Sequence, residues 1–144
     1  MHSRLIETQR EDADMAEYMG KSEQQKKRAY SPAVITQGGK TVWLAGQTAT
    51  QDEKDQDISG NFEAQVRTIF SLLDKTLKSA GGSLANMVTM TVFIIDPRHG
   101  DRFVEMRGGF FPSGNYPASA LITVSNFARS GMLIEIQGVA VIGG

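Results

Sequence analysis

Among the side chains of this 144-residue sequence that can take or hold a proton, Glu135 has the most unusual setting. It sits in the run Met132 to Val141, which is rich in Leu, Ile and Val and suits a half-buried strand. Side chains alternate across a strand, so Ile134 and Ile136 point one way while Leu133, Glu135 and Gln137 point the other. A carboxylate on a sheet face between two apolar neighbours is a candidate for chemistry, although an ordinary solvent-facing strand residue fits the same pattern. Other constellations fail on their residue types. His2 lies near the N-terminus and His99 stands alone near a helix start, so neither a Ser-His-Asp triad nor a metal cluster can be assembled. Cysteine is absent, which removes disulfides, thiolate metal sites and cysteine nucleophiles. The glycine pairs at Gly81, Gly108 and Gly143 form no phosphate-binding pattern, and no organic cofactor is implied.

The elements that must position Glu135 can be read from periodicity. Ala33 to Gln37 and Thr41 to Ala45 are short β-rich runs, and Gly38 and Gly39 between them signal a hairpin, so the two are expected to pair antiparallel. Val42 and Leu44 share one face of the second run, Trp43 and Ala45 the other. Gly46 to Gly60 is polar and acidic and reads as a loop. From Asn61 the spacing of Val66, Ile69, Phe70, Leu73, Leu77 and Ala80 predicts a helix, with Asn61 or Ser59 as N-cap and Gly81 with Gly82 as the stop. Met87 to Ile95 is a strong strand. Val88, Met90, Val92 and Ile94 form its apolar face, Thr89, Thr91 and Phe93 the other, and Asp96 and Pro97 end it. Arg98 to Phe111 is expected to be a second helix with Phe103, Met106 and Phe110 inward, weakened by Gly108 and Gly109. Ala120 to Val124 and Met132 to Val141 close the series.

The order is therefore two strands, helix, strand, helix, two strands. Both helices can cover only one sheet face. The second face is assigned Thr89, Thr91 and Phe93, then Ser119, Leu121 and Thr123, then Leu133, Glu135, Gln137 and Val139. A face so mixed suggests contact with another subunit, and an oligomer is expected.

Composition sets the limits. A length of 144 residues with 40% hydrophobic residues suits one globular domain. The formal net charge of -1 gives no basis for nucleic-acid or acidic-membrane binding. No apolar run is long enough for a membrane helix and the start lacks a signal-peptide core, so a cytoplasmic protein is expected. Residues 1-28 carry twelve charges, six of each sign, and are expected to form a flexible or loosely docked extension ahead of a domain spanning 29-144. Lys26, Lys27 and Arg28 end it, as a solvated charge run or an anion site.

Seven short motifs carry a resemblance. They are Tyr-Ser-Pro-Ala-Val at Tyr30 to Val34, Ala-Gly-Gln at Ala45 to Gln47, the Ala-Gly after the first helix, Thr-Val-Phe-Ile-Ile-Asp at Thr91 to Asp96, Phe110 with Phe111, Pro-Ala-Ser at Pro117 to Ser119, and Ile-Glu-Ile-Gln at Ile134 to Gln137. In order and spacing they resemble the RidA family, also called YjgF/YER057c/UK114, over about Tyr30 to Val141. The resemblance implies an α+β, chorismate-mutase-like fold, a mixed β-sheet with two helices packed on one face, assembled as a homotrimer with a ligand cleft between neighbouring subunits.

It also implies chemistry. Members resembling RidA hydrolyse reactive enamines and imines to a keto acid and ammonia, which requires a carboxylate clamp, a group that handles water and a pocket for the planar imine. The family's water-handling acid corresponds to Glu135 and its cleft tyrosine to Tyr30. Its clamp arginine, which follows Pro-Ala, is Ser119 here. A serine before Gly-Gln is Ala45, an asparagine of the second helix is Val104, and the second Glu of the closing motif is Gln137. The implied catalytic residues are Glu135 and Tyr30, and the implied substrate-binding residues are Ser119, Phe93, Ala45, Gly46 and Arg28, the last lending positive charge from two residues before Tyr30. No metal is implied. Three readings follow: a deaminase or hydrolase of altered specificity acting on an imine, enamine or related amine; a trimer that binds a metabolite without transforming it; and a nucleic-acid enzyme, which the near-neutral charge opposes.

Overall fold

The computed structural model describes residues 16–143; residues 1–15, among them His2, Leu5, Ile6 and Met15, lie outside the described residues. Six strands are formed: β1 (Ala16–Tyr18), β2 (Val34–Thr36), β3 (Lys40–Trp43), β4 (Met87–Ile94), β5 (Ala118–Thr123) and β6 (Ile134–Ile142). Three α-helices join them: α1 (Glu23–Lys27), α2 (Phe62–Ser79) and α3 (Gly100–Phe110). The main sheet has the order β3-β6-β4-β5, in which β6 is antiparallel to both neighbours and β4 and β5 run parallel.

The long helix forms where its apolar period begins. The Asn61 side chain accepts from the Ala64 N–H at 3.1 Å, and Gly81, at a φ of 96°, stops the helix with a backbone that other residues rarely adopt. Val66, Ile69, Phe70, Leu73 and Leu77 are all buried on one face of α2. That face packs against Met90, Val92 and Ile94 of β4 and Ile134 and Ile136 of β6 in one core. Each such side chain contributes roughly 1.5 to 3 kcal/mol of apolar burial. Phe103 of α3 completes the layer, with Phe110 stacked 4.3 Å from Phe70.

Four expectations change. The Gly38-Gly39 turn exists, with φ of 66° and 75°, but β2 and β3 do not pair. β2 joins β1 in a separate two-stranded sheet, with Tyr18 opposite Val34, and β3 pairs with β6. Glycine geometry permits a turn; the long-range partners decided which strands use it. Second, a register shift between Met87 and Thr89 places Met87, rather than Val88, in the core. Third, Ser119 and Leu121 stand beside Met90 and Val92 and thus share the helix-covered face, so the open face of β5 carries Ala118, Ala120 and Ile122. Leu133 precedes β6 and packs on the core. Fourth, the buried side of α3 is Phe103, Val104 and Arg107, with Met106 and Phe110 only partly covered.

Residues 16–28 carry β1 and α1. Tyr18 donates from its hydroxyl to the Met87 carbonyl at 2.9 Å, fixing β1 beside the start of β4. The Ser22 side chain accepts from Gln25 N–H at 3.2 Å and Gln25 accepts from Ser22 N–H at 2.9 Å, a capping box that starts α1.

Candidate functional site

Glu135 is held from both sides of its own strand. Ile134 and Ile136 are wholly buried, which turns the carboxylate to the open face, where Glu135 is half-buried next to Phe93 on β4. A pair of backbone hydrogen bonds, Gln47 N–H to Ile136 O at 2.8 Å and Ile136 N–H to Gln47 O at 3.1 Å, brings the Ala45-Gly46-Gln47 segment alongside. Gly46 leaves the carboxylate its room: a Cβ at this position would lie 2.5 Å from Glu135 Oε2 and displace it. Among the described residues no cation pairs with this carboxylate.

Tyr30 belongs to a different corner. The chain leaves α1 with Ala29 at a φ of 56°, the Ala29 N–H bonding to Lys26 O and the Tyr30 N–H to Gln25 O, both at 3.2 Å. This is the Schellman arrangement, here with alanine in the position that favours glycine. Ala29 is buried and its methyl faces Gly108 of α3, contact that offsets the backbone strain. The turn delivers Tyr30 and Ser31 beside β5, where Ser31 bridges to Ala118 and donates from its N–H to Pro117 O at 3.2 Å.

Beneath this corner lies a residue that the sequence reading missed. Arg107 is only 3% exposed. Its Nη1 donates to Ser119 Oγ at 2.8 Å, its Nη2 to the Arg28 carbonyl at 2.7 Å, and its Nε–H has no partner. The guanidinium sits 5.1 Å from the Phe103 ring. Burial, with Arg28 nearby as a second cause and Tyr30 acting the other way, pushes its pKa down to about 10, so it stays charged at neutral pH. Its position was legible: Arg107 is four residues after Phe103 and three after Val104, on the buried stripe of α3.

The candidate residues thus form two groups rather than one. Ser119, Arg28 and Tyr30 gather around Arg107; Phe93, Ala45 and Gly46 gather around Glu135. Ser119 stands opposite Met90 and Glu135 opposite Phe93, three residues further along β4 and on the other face of the sheet. At about 3.3 Å per residue they are separated by roughly 10 Å along the strand as well as by the sheet itself. A groove of about 300 Å³ between the 46–60 loop and α2, lined by Asp52, Glu53, Arg67 and Ser71, includes none of them. Among the described residues no group of three or more His, Asp or Glu could hold a metal ion, and no helix is long and apolar enough to cross a membrane.

A family model described as Endoribonuclease L-PSP matches residues 21–142. The chain belongs to this family, the RidA or YjgF group. Protein DfrA of Myxococcus xanthus is 31% identical over 112 residues, covering 78% of this chain and 84% of the relative. The RidA family also supplies the structural likenesses. RidA from the Antarctic bacterium Psychrobacter is 28% identical with a TM-score of 0.65, covering 78% of this chain and 88% of that one. The Rid-family protein YyfB of Yersinia pestis, at 21% identity, shares the fold with a TM-score of 0.79 over 89% of this chain and 99% of its own. The α+β, chorismate-mutase-like architecture of the RidA family is thus the fold of this chain, a mixed sheet with two helices on one face.

Proposed function

We propose that this RidA-family chain is a small-molecule deaminase or hydrolase acting on an imine, enamine or related amine, in a cleft between copies of the chain. The observation that carries the reading is the Glu135 carboxylate, half-buried beside Phe93, pressed against Gly46 and without a cationic partner among the described residues. Such a group can hold water and take its proton. In the reaction the water oxygen bonds to the imine carbon while one water proton passes through Glu135 to the nitrogen; the second leaves the resulting hydroxyl and reaches the nitrogen by the same carboxylate as the C–N bond breaks, giving a carbonyl and ammonia. The two clusters lie on opposite faces of one sheet, so a ligand that touches both must meet Glu135 from one copy and Tyr30 with Ser119 from another. The open face supports such assembly, with Trp43 78% and Ile122 41% exposed beside Thr89, Thr91 and Val139. A homotrimer, as in the resemblance, fits this, and a cytoplasmic setting suits the absence of cysteine.

One observation favours a second reading, a trimer that holds a metabolite intact: Ser119 stands where the resemblance expects the arginine clamp. The family's endoribonuclease description is not extended to this chain, whose net charge is -1. The deciding experiment is ammonia and keto-acid release from freshly generated 2-aminoacrylate, for the unmodified protein and Glu135→Ala, with a panel of larger imines beside it. Release that is lost in Glu135→Ala supports the enzyme. Silence on every imine, with calorimetric binding of an amine or keto acid that stays intact, replaces it with the binding trimer.

A further inference from the structure

A closed circuit of bonds runs around Tyr30. Arg107 Nη2 donates to the Arg28 carbonyl, the backbone leads from Arg28 to Ser31, Ser31 bridges to Ala118, and the next residue, Ser119, accepts from Arg107 Nη1. The Ser31 corner is doubly held, by its N–H on Pro117 O and by its buried hydroxyl, which donates to the Tyr116 carbonyl. The other side of the circuit rests on one side chain. Arg107, at 2.7 Å from one acceptor and 2.8 Å from the other, ties the end of α1 to β5 through α3.

An arginine is a costly choice for that place. It is buried without a carboxylate partner among the described residues, its Nε–H bonds to nothing, and an apolar side chain of similar volume often serves a core as well or better. An apolar side chain, however, cannot hold two acceptors on different elements at a fixed separation, which a planar guanidinium fork does. The segment it holds is strained: Ala29 keeps a φ of 56°, and its relaxation would swing the next residue, Tyr30, out of place. Consecutive residues of α3 meet consecutive residues of this turn, Arg107 at the Arg28 carbonyl and Gly108 at the Ala29 methyl, where a methyl on Gly108 would stand 3.8 Å away. Tyr30 itself is half-buried and close enough to influence the ionisation of Arg107.

We infer that Arg107 is the positioning residue of Tyr30: its guanidinium closes the circuit, holds the strained turn in place, and so fixes where the phenol stands. Arg107 itself touches no ligand. The role depends on two N–H groups at a set angle rather than on charge, so lysine, a point charge on a flexible stem, does not replace it. This rests on the proposed function only for what Tyr30 does to a substrate; the placement of the phenol belongs to the ligand-free chain.

The test reads the tyrosines directly. The chain has three, Tyr18, Tyr30 and Tyr116, and meta-fluorotyrosine gives each a fluorine NMR signal that Tyr→Phe substitution assigns. Tyr18, whose hydroxyl is bound to the Met87 carbonyl, is the control. In Arg107→Lys the Tyr30 signal is expected to shift and broaden while the Tyr18 signal stays. Ser119→Ala, which takes one acceptor from the fork, moves the Tyr30 signal by less. On the imine turned over best, Arg107→Lys should lower kcat at least about tenfold and change KM less than about threefold, a misplaced group costing mainly the transition state. The Arg107→Lys/Tyr30→Phe double variant should be no slower than Tyr30→Phe alone, because the two act as one unit. An unmoved Tyr30 signal overturns the inference, as does an equal shift of Tyr18, which means general loosening, or a double variant whose losses multiply. If Arg107→Lys does not fold, the Tyr30 signal in Ser119→Ala decides. A Tyr30 signal that follows Arg107 in a protein that turns over no imine keeps this inference and removes the proposed function; turnover with an unmoved Tyr30 signal does the reverse.

Discussion

The Glu135 carboxylate lies against the bare face of Gly46, where a methyl group would meet Oε2 at 2.5 Å. The φ of Gly46 is not in the left-handed region, so alanine suits the backbone there, and the atom it displaces is the end of a flexible side chain. Gly46→Ala should lower turnover at least tenfold while moving the melting temperature little. A large loss of stability together with unchanged turnover would show that the contact serves packing alone.

A second residue steadies the approach to that site. Gln65, wholly buried in α2, donates to Ile58 O at 2.9 Å and Gly131 O at 2.7 Å and accepts from Leu133 N–H at 2.9 Å. It thereby ties both the 46–60 loop and the entry to β6 to the helix. Gln65→Ala leaves the Leu133 N–H without a partner, while Ile58 O and Gly131 O keep the Asn61 and Gly60 N–H groups, and should cost about 2 kcal/mol, an unpaired buried group being worth roughly 1 to 3 kcal/mol. Urea unfolding measures it, and a cost under 1 kcal/mol would mean that water replaces the amide.

Asp96 gives a pH signature. Its carboxylate accepts from Arg98 through the guanidinium, at 2.8 Å from Nη2, and through the Arg98 N–H at 2.9 Å, and these bonds lower its pKa from 3.8 to about 2. A depressed folded-state pKa contributes stability that is complete above the unfolded value and is lost as pH falls through the folded one. Between about pH 4 and pH 2 the unmodified protein should therefore lose stability more steeply than Asp96→Asn, which keeps a capping side chain and cannot ionise. Parallel melting curves over that window would contradict the assignment.

The helices and the alternation within strands were legible because they are local. Val66, Ile69, Phe70, Leu73 and Leu77 announce α2 by spacing, and Trp43 and Leu44 fall on opposite sides of β3 by alternation, Leu44 inward and Trp43 outward against its apolar type. Partner choice was not local. Gly38 and Gly39 permit a hairpin, but β3 gains more by lying beside β6, and nothing within residues 33–45 encodes that. The face of Ser119 depended in the same way on its register with Met90. Arg107 was overlooked because residue type was given more weight than the period of α3, although its position marks it as buried. The face of Glu135 was legible because its own neighbours in sequence, Ile134 and Ile136, determine it.

The proposed self-association is testable at the open face. Ile122, beside Phe93 on that face, is 41% exposed in one chain. Ile122→Glu should leave the fold intact by circular dichroism and convert the assembly to monomers by sedimentation, because an unpaired carboxylate in a closed interface costs several kcal/mol. Loss of deaminase activity should accompany it if the cleft needs two copies. An unchanged sedimentation coefficient would move the interface elsewhere.

The central place of β6 also governs how the protein can be made. Its two neighbours, β3 and β4, are synthesised earlier and cannot pair with each other in the finished sheet. While the ribosome is still adding residues 95–133, each therefore presents an open edge, and α2 has only part of the surface it is to cover. Contacts spanning such long sequence separations slow folding and expose apolar edges to other chains. Folding should thus wait until β6 has emerged and inserted between strands already waiting for it, and a nascent chain stalled before Ile134 should be protease-sensitive and a ready client for a chaperone.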